Sequence, residues 1–196
     1  MTVLYAILSY LFGAIPTGYI LFRIAERKDI RNYGSRATGA TNILRLKGWK
    51  LAIPVAIFDI AKGFIPVFLA VKLLPDKRFA FLCGFLAILG HCFPVFIKFR
   101  GGKGVATALG AYLALAPIPA LASVGVFLIV VSLTKYVSLG SMLAMAFFPL
   151  IVFLMSADLP VVIMGLAVLA LIVLKHRGNL QRLIRGDERK LGEKAV

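Results

Sequence analysis

The chain has 196 residues, of which 61% are hydrophobic, and its mean hydropathy is +0.94. This leaves too little polar sequence to cover a soluble globule, so the surplus apolar surface must face lipid. The formal net charge of +15 would suggest nucleic acid in a soluble protein. Lys and Arg also accumulate in the cytoplasmic loops of membrane proteins, however, and the chain has no aromatic-basic RNA-binding pattern.

Seven hydrophobic segments follow one another along the chain. They cover residues 3–22, 51–74, 79–97, 105–116, 120–133, 140–155 and 159–174. The first three are long enough to cross about 30 Å of hydrocarbon, whereas the last four are shorter. The first segment has no basic residues before it and no small-residue cleavage pattern, which indicates a span and not a signal peptide. The sequence therefore predicts an all-α integral membrane protein of about seven transmembrane helices, with residues 1–196 in a single polytopic domain.

The distribution of Lys and Arg predicts the orientation of these spans. Of the 23 basic residues, 19 fall in connections that seven spans would place on one side of the membrane. Only Lys72, Lys77 and Arg78 fall on the other side, and Lys62 lies within a span. Because basic residues are enriched on the cytoplasmic side, the N-terminus is predicted to lie outside and the C-terminus in the cytoplasm.

Two ionisable residues, Asp59 and Lys62, lie inside the second hydrophobic segment. They are three positions apart, so in a helix they share one face and can form an ion pair. Charge at this depth is costly and is either paired or functional. A structural ion pair is the simpler interpretation.

The first polar segment, residues 34–45, combines Gly, Ser, Thr, Asn and Arg and has no acidic residue. Backbone N–H groups exposed by small residues can bind a phosphate, and Arg45 offers a bidentate guanidinium. Ala40 and Thr41 follow Gly39 where a Walker A loop has Lys and then Ser or Thr, so the segment is not a Walker A loop, because Ala40 replaces the lysine. From these residues alone, an ordinary flexible loop is an equally good interpretation.

The second polar segment, residues 91–107, contains Gly101-Gly102-Lys103-Gly104 directly before a hydrophobic helix. The N-terminus of a helix presents unpaired N–H groups and the positive end of a dipole, which favours an anion, and Lys103 adds a full charge. A glycine-rich hinge with one cytoplasmic lysine is the alternative. The anion site is favoured because the unpaired N–H groups and the charge of Lys103 lie at the start of the same helix.

Two further polar stretches lie on the predicted cytoplasmic side. In residues 175–188, His176 follows the last hydrophobic segment beside several cations and can act as a neutral base or a hydrogen-bond partner. An interfacial histidine in a solvated basic tail is the alternative. In residues 136–141, Ser138 or Ser141 can line a polar site or simply cap the following helix.

Several kinds of chemistry are not supported by the residues. The polar segments contain no carboxylate pair for glycoside hydrolysis, no GxSxG nucleophile elbow and no HxxxxD pattern. The first polar segment, residues 34–45, and the third, residues 175–188, have a common character: both contain groups that can bind phosphate and hydroxyls or amides, and both have very few acidic residues. The residues by themselves indicate a site for phosphorylated ligands at the membrane face.

These segments resemble the motifs of the bacterial acyl-phosphate:glycerol-3-phosphate acyltransferases over nearly the whole chain. The family's GSGNxGATNVLR is similar to Gly34-Ser35 followed by Gly39 to Arg45, and its GHxFPVFxxFxGGKGVAT is similar to His91 through Thr107. Its RHxxNIxRLxxGxE is similar to the third segment, with His176, Asn179 and Glu188 in place. The chain departs from the pattern at Arg36 and Ala37, which replace Gly-Asn, and at Lys175, which replaces Arg.

The resemblance implies transfer of a fatty acyl group from acyl phosphate to the 1-hydroxyl of glycerol 3-phosphate, giving lysophosphatidic acid and phosphate, in the bacterial inner membrane. It implies catalytic roles for Ser35, Lys103, His176 and Asn179. It also implies two sets of binding residues. Glycerol 3-phosphate would bind Arg45, Lys103, Ser141, His176 and Asn179, and acyl phosphate would bind Gly39, Ala40, Thr41, Asn42, Gly101 and Gly102.

No cofactor, metal or nucleic acid is expected, because acyl phosphate carries its own activation and the motifs lack carboxylates for Mg²⁺. A transporter for phosphorylated metabolites is one alternative. It would need a polar pathway, and only Asp59 and Lys62 lie deep in a segment. A lipid phosphatase or headgroup transferase is another, but those enzymes usually bring acidic metal ligands or paired histidines.

Overall fold

The computed structural model describes residues 2–74, 78–156 and 158–193, and in these residues the regular structure is helical throughout. The ten α-helices are α1 (Thr2–Gly13), α2 (Thr17–Glu26), α3 (Ala40–Lys47), α4 (Trp49–Leu73), α5 (Arg78–Cys92), α6 (Val105–Leu115), α7 (Pro117–Thr134), α8 (Val137–Ser156), α9 (Leu159–Lys175) and α10 (Arg177–Arg185). Short 3-10 helices form at Ile30–Asn32 and Val95–Ile97. Lys77, one of the residues counted for orientation, lies outside the described residues.

Each of the seven predicted hydrophobic segments is helical. In the described part of the chain, five spans are long and apolar enough to cross a membrane: Thr2–Glu26, Trp49–Leu73, Arg78–Ile97, Pro117–Thr134 and Val137–Ser156. A sixth is possible if α9 and α10, which are bent by 63°, count as one span, and α6 is a shorter apolar helix. Large apolar side chains are widely exposed, with Leu133 at 79% and Leu154 at 73%, as lipid-facing surfaces require. The count of seven and the orientation stay predictions.

The described chain forms two compact units. The first consists of the described residues up to Ala111 together with residues 192–193, and the second of those from Tyr112 to Leu191. In the first unit α1 packs on α5, and α4 packs on α3 and α5. Glycine permits the close approach of α1 and α5, because a Cβ on Gly13 would overlap the carbonyl oxygen of Ala87 and a Cβ on Gly90 would overlap that of Tyr10. Small residues at contacts are how helices pack tightly in lipid.

The first predicted span is broken between α1 and α2, at residues 14–16. A break leaves backbone groups without helical partners, and these groups are costly in the membrane unless other groups bind them. The ammonium of Lys62 in α4 donates to the carbonyl of Ile15 at 3.0 Å, and the hydroxyl of Thr17 at the start of α2 donates to Asp59 at 2.7 Å. Asp59 and Lys62 themselves are 2.7 Å apart. The predicted ion pair is confirmed, and it stabilises the broken span.

In the second unit α8 packs between α7 and α9. Gly140 of α8 faces Val131 and Phe127 of α7, and Gly165 of α9 faces Pro149 of α8. After α10 the chain returns to the turn that joins α7 and α8, where the N–H of Leu191 donates to the carbonyl of Lys135 at 2.7 Å. The chain that follows residues 175–188 is thereby fixed next to residues 136–141.

Candidate active site

Asn42 organises the first polar segment. Its carboxamide oxygen accepts from the N–H of Ser35 at 2.9 Å, and its nitrogen donates to the carbonyls of Ala37 and Tyr33 at 2.9 and 3.2 Å. The side chain is almost completely buried, and its own N–H donates to Gly39 at 3.1 Å. Both its side chain and its backbone donor are therefore engaged in holding the loop.

The loop leads directly into α3, with Gly39 as the N-cap residue. The first N–H groups of a helix have no intrahelical acceptor. At the start of α3 these are the N–H groups of Ala40 and Thr41. A Cβ on Gly39 would meet no atom within 4 Å, so the space around this residue is open. Arg45 lies one turn after Asn42 and is half-buried. The arrangement fits an anion at the N-terminus of α3.

The second polar segment forms a tight loop between α5 and α6. After the 3-10 helix, Lys98 and Phe99 both adopt left-handed backbone conformations, with φ of 58° and 59°. Such conformations are strained for residues with side chains and occur where the surrounding structure fixes them. Gly102 then donates to the carbonyl of His91 at 3.1 Å, and the chain enters α6 at Val105. Lys103, half-buried, stands two residues before that helix.

Arg31, which the sequence did not single out, joins the chain before the first polar segment to the second polar segment. Its guanidinium donates to the carbonyl of Ile97 at 2.8 Å and pairs with Asp29 at 2.7 Å. The hydrogen bond from Arg31 lowers the pKa of Asp29 below its ordinary value, and the same bond raises the pKa of Arg31. The sequence shows Asp29 and Arg31 two positions apart, but it gives no signal that the arginine reaches a carbonyl 66 positions away.

His176 lies at the junction of α9 and α10 and is buried. Its Nδ1 lies 2.8 Å from the carbonyl of Ile172. Because a carbonyl can only accept, Nδ1 carries the hydrogen of this bond, and in the neutral ring Nε2 is then the nitrogen with the lone pair. The side chain is thus held in the tautomer that a general base at Nε2 requires.

Glu188 forms the centre of a buried polar cluster in the second unit. Ser138 and Asn179 donate to its Oε1 at 2.9 and 2.6 Å, and Arg182 donates to its Oε2 at 2.8 Å. Burial acts to raise the pKa of Glu188, but the hydrogen bonds from Asn179, Ser138 and Arg182 and the charge of Arg182 outweigh it and lower the pKa below the ordinary value. The motif contained Glu188, but no role was predicted for it.

The structure thus places the predicted residues in two groups. In the first unit Ser35 is tied to Asn42, Gly39 to Thr41 lead into α3, and Gly101 to Lys103 lead towards α6. In the second unit Asn179 shares Glu188 with Ser138, and His176 lies three positions before Asn179. The hydroxyl of Ser141 donates to Val137 in its own helix at 2.8 Å, which leaves the role of Ser141 as a prediction.

Comparison with known proteins identifies the family. The family model described as glycerol-3-phosphate acyltransferase matches residues 3–186. The chain belongs to the glycerol-3-phosphate acyltransferase family. The resemblance that the three motifs suggested is therefore confirmed, and as a member of this family the chain is an acyltransferase.

Other members of the glycerol-3-phosphate acyltransferase family are similar over almost their whole length. The protein of Thermoanaerobacter pseudethanolicus is 42% identical over 192 residues, which cover 98% of this chain and 96% of the relative. That of Syntrophotalea carbinolica is 42% identical over 194 residues, with 97% and 98% covered. Both bear the name glycerol-3-phosphate acyltransferase.

Two solved structures of PlsY (YgiH), an integral membrane glycerol 3-phosphate acyltransferase, share the fold. The glycerol 3-phosphate form has a TM-score of 0.94 and 39% identity, covering 97% of this chain and 96% of PlsY. The lysophosphatidic acid form has a TM-score of 0.89 and 38% identity, covering 97% and 95%. Together with the apolar helices, this match makes the chain an integral membrane protein.

Proposed function

We propose that this chain transfers a fatty acyl group from acyl phosphate to the 1-hydroxyl of glycerol 3-phosphate, as the first step of bacterial phospholipid synthesis. One observation carries the proposal: the chain is 39% identical over 97% of its length to PlsY in its glycerol 3-phosphate form. A second form of the same relative contains lysophosphatidic acid, the product that the proposed reaction would give.

The reaction needs little covalent chemistry from the protein. The hydroxyl oxygen of glycerol 3-phosphate attacks the acyl carbon, the ester bond forms, and the bond from that carbon to the phosphate oxygen breaks. Phosphate leaves with the electron pair, and the hydroxyl proton passes to a base. Because acyl phosphate is already activated, the protein must mainly bring two anionic substrates together and stabilise the developing charge.

For acyl phosphate, we assign the phosphate to the backbone N–H groups of Gly39, Ala40 and Thr41 and to the turn at Gly101 and Gly102. The unpaired donors at the start of α3 and the open space around Gly39 support the first part. Asn42 serves this site by holding the loop, as its three side-chain hydrogen bonds suggest. The acyl chain would extend towards lipid.

For glycerol 3-phosphate, the assigned residues are Arg45, Lys103, Ser141, His176 and Asn179. Arg45 and Lys103 supply charge for its phosphate, and Ser141, His176 and Asn179 supply hydrogen bonds for its hydroxyl groups. Ser35 serves as a further catalytic residue, which either binds a phosphate or orients the attacking hydroxyl. Except for Ser141, which comes from residues 136–141, each of these residues stands at a position of the family motifs.

His176 is the proposed base. The bond from Nδ1 to Ile172 leaves the lone pair on Nε2 in the neutral ring, which is the form that accepts a proton. A phosphate oxygen of either substrate is the alternative acceptor. Lys103 and Asn179 complete the catalytic set by stabilising the negative charge that develops during transfer.

The proposed topology has seven spans, with α6 and α9 as the two shorter ones. The N-terminus lies outside, and the C-terminus and the three motifs face the cytoplasm of a bacterial inner membrane, which 19 of the 23 basic residues support. The chain acts as one polytopic domain with no cofactor.

The test is acyl transfer by the purified protein in lipid vesicles, with labelled glycerol 3-phosphate and either palmitoyl phosphate or palmitoyl-CoA. Lysophosphatidic acid formed from palmitoyl phosphate alone supports the proposal. Product from palmitoyl-CoA alone would show the donor to be wrong. No product from either donor, with labelled glycerol 3-phosphate still bound, would favour a transporter or binding protein.

A matched pair of serine variants separates the site from the fold. Ser35→Ala should lower kcat by about 100-fold or more, the range seen when a group that stabilises a transition state is removed. Ser156→Ala removes a hydroxyl that donates to the carbonyl of Val152 in its own helix, and it should leave kcat near that of the unchanged protein.

A further inference from the structure

A buried group of ionisable side chains lies beneath the turn formed by Gly101 and Gly102. Asp59 and Lys62 come from α4 and His91 from the end of α5, and their exposed fractions are 2%, 4% and 6%. Nδ1 of His91 lies 3.6 Å from Oδ1 of Asp59. The ion pair and the break between α1 and α2 account for Asp59 and Lys62, but they give no reason for a histidine beside them.

His91 contacts the glycine turn in two independent ways. Its carbonyl accepts the N–H of Gly102 at 3.1 Å, and its imidazole occupies the space where a side chain at Gly102 would lie, because a Cβ there would overlap Nε2. At Gly101 a Cβ would overlap the His91 carbonyl and the ring of Pro94. The turn is therefore seated directly on His91, with no room for a side chain between them.

The orientation of the imidazole is fixed from the other side by Asp59. That carboxylate is itself held by Thr17 and Lys62, each at 2.7 Å. One edge of the ring thus faces a rigidly placed carboxylate, and the other edge faces the backbone of the turn. Backbone N–H groups bind an anion well only when they are held in fixed directions, so support beneath such a turn affects binding directly.

We propose that His91 is a positioning residue for the phosphate-binding turn: oriented by Asp59, its imidazole and its carbonyl hold Gly102 in place and thereby keep the N–H of Gly101 aligned with the phosphate of acyl phosphate. The inference rests on the proposed function, since it takes this turn to bind that phosphate. It adds a role for the buried charges that the reaction itself does not use.

The central test is a pair of complementary substitutions. In His91→Asn the amide keeps a polar group facing Asp59 but lacks the part of the ring that touches Gly102. In Gly102→Ala the new Cβ overlaps the ring. Each single variant should raise the KM for palmitoyl phosphate by about tenfold or more, towards the 100-fold that a misplacement of 1 Å can cause, with a smaller change in kcat.

The double variant His91→Asn, Gly102→Ala should recover much of that loss, because the methyl group fills the space that the ring vacates. If the ring of His91 did not lie against Gly102, the two losses would add instead. A purely structural role for His91 predicts a lower Tm in these variants without a higher KM. His91→Gln is the conservative variant, whose amide reaches the Nε2 position, and it should keep the KM within about threefold of the unchanged protein. Ile88→Ala, on the same helix and fully buried, is the control that should lower Tm and leave the KM unchanged.

The results separate this inference from the proposed function. If the unchanged protein makes no lysophosphatidic acid from palmitoyl phosphate, the function fails, and the same variants are compared by their Kd for inorganic phosphate. Weaker phosphate binding in the single variants and recovery in the double variant support the positioning role. A double variant no better than the poorer single one, or a KM shift in Ile88→Ala equal to that in His91→Asn, overturns it.

Discussion

The amide nitrogen of Asn179 donates to Oε1 of Glu188 across a distance of 2.6 Å. Asn179 belongs to α10, whereas Glu188 lies in the segment that follows it. Glu188 also accepts hydrogen bonds from Ser138 and Arg182. Asn179, which belongs to the predicted catalytic set, is therefore part of a polar cluster around this carboxylate. The position of Asn179 therefore depends on a carboxylate that no reacting atom needs to touch.

Replacement of Glu188 by Gln should destabilise the protein. The amide oxygen can accept from Ser138 and Asn179, but the amide nitrogen then faces the Arg182 donor, so at least one partner loses its acceptor, at a cost of about 1 kcal/mol or more. The measurement is thermal unfolding in detergent, with kcat assayed in parallel. Asp187→Asn is the control, because it removes the same charge one residue earlier at an exposed position. Equal Tm values for the two variants would contradict the prediction.

The same carboxylate should contribute to the pH dependence of stability. Since the hydrogen bonds of the cluster hold the pKa of Glu188 below its ordinary 4.5, the folded protein binds this proton less readily than the unfolded chain. Its contribution is fully present above pH 4.5 and is lost as the pH falls through the folded pKa. The Tm difference between the unchanged protein and Glu188→Gln should therefore shrink below pH 4.5. A difference that stays constant there would argue against an ionised Glu188.

His176→Asn tests the base without removing the structural contact. The asparagine amide can still donate to the carbonyl of Ile172, but it has no group at the position of Nε2. If Nε2 takes the proton, kcat at saturating substrate should fall by about 100-fold or more while Tm changes little. Near-normal turnover would assign the proton to a substrate phosphate instead.

Asn42→Asp should weaken acyl phosphate binding. The carboxylate keeps an acceptor for Ser35 but loses the donors to Tyr33 and Ala37, and it brings negative charge to a predicted anion site. Loss of two hydrogen bonds corresponds to about 2 kcal/mol, or roughly a 30-fold rise in the KM for palmitoyl phosphate. Asn32→Asp adds the same charge at an exposed position of the preceding 3-10 helix and is the control. Equal KM values in both variants would exclude this role of Asn42.

Arg36→Gly should stabilise the first loop. Arg36 has a φ of 60°, the left-handed conformation that costs a residue with a side chain about 1 kcal/mol and costs glycine almost nothing. Arg36→Ala is the matched control, because it removes the same side chain and keeps the backbone penalty. A higher Tm for Arg36→Gly than for Arg36→Ala is the expected result. The reverse order would show that the loop is not strained at this position.

Much of the fold could be predicted from the sequence because lipid restricts the structures that an apolar chain can adopt. Each of the seven hydrophobic segments is helical, since a backbone in hydrocarbon must satisfy its own hydrogen bonds. The pairing of Asp59 with Lys62 could also be predicted, because a spacing of three fixes a shared helix face. The three motifs identified the family because they lie in order along the chain, a property of sequence alone.

Contacts between distant residues could not be predicted, because no periodicity encodes them. The break in the first span is stabilised by Lys62, which reaches Ile15 47 positions earlier, and by Asp59, which accepts from Thr17. His91 lies in a motif, but the sequence does not show that its ring fills the space beside Gly102 and faces Asp59. Glu188 likewise lies near Ser138 only after α8, α9 and α10 have packed. The sequence by itself determined the membrane class, the helices and the family, which depend on local composition and order, whereas tertiary packing decided which buried polar groups hold the site in place, because each must find its partner wherever the folded chain brings one.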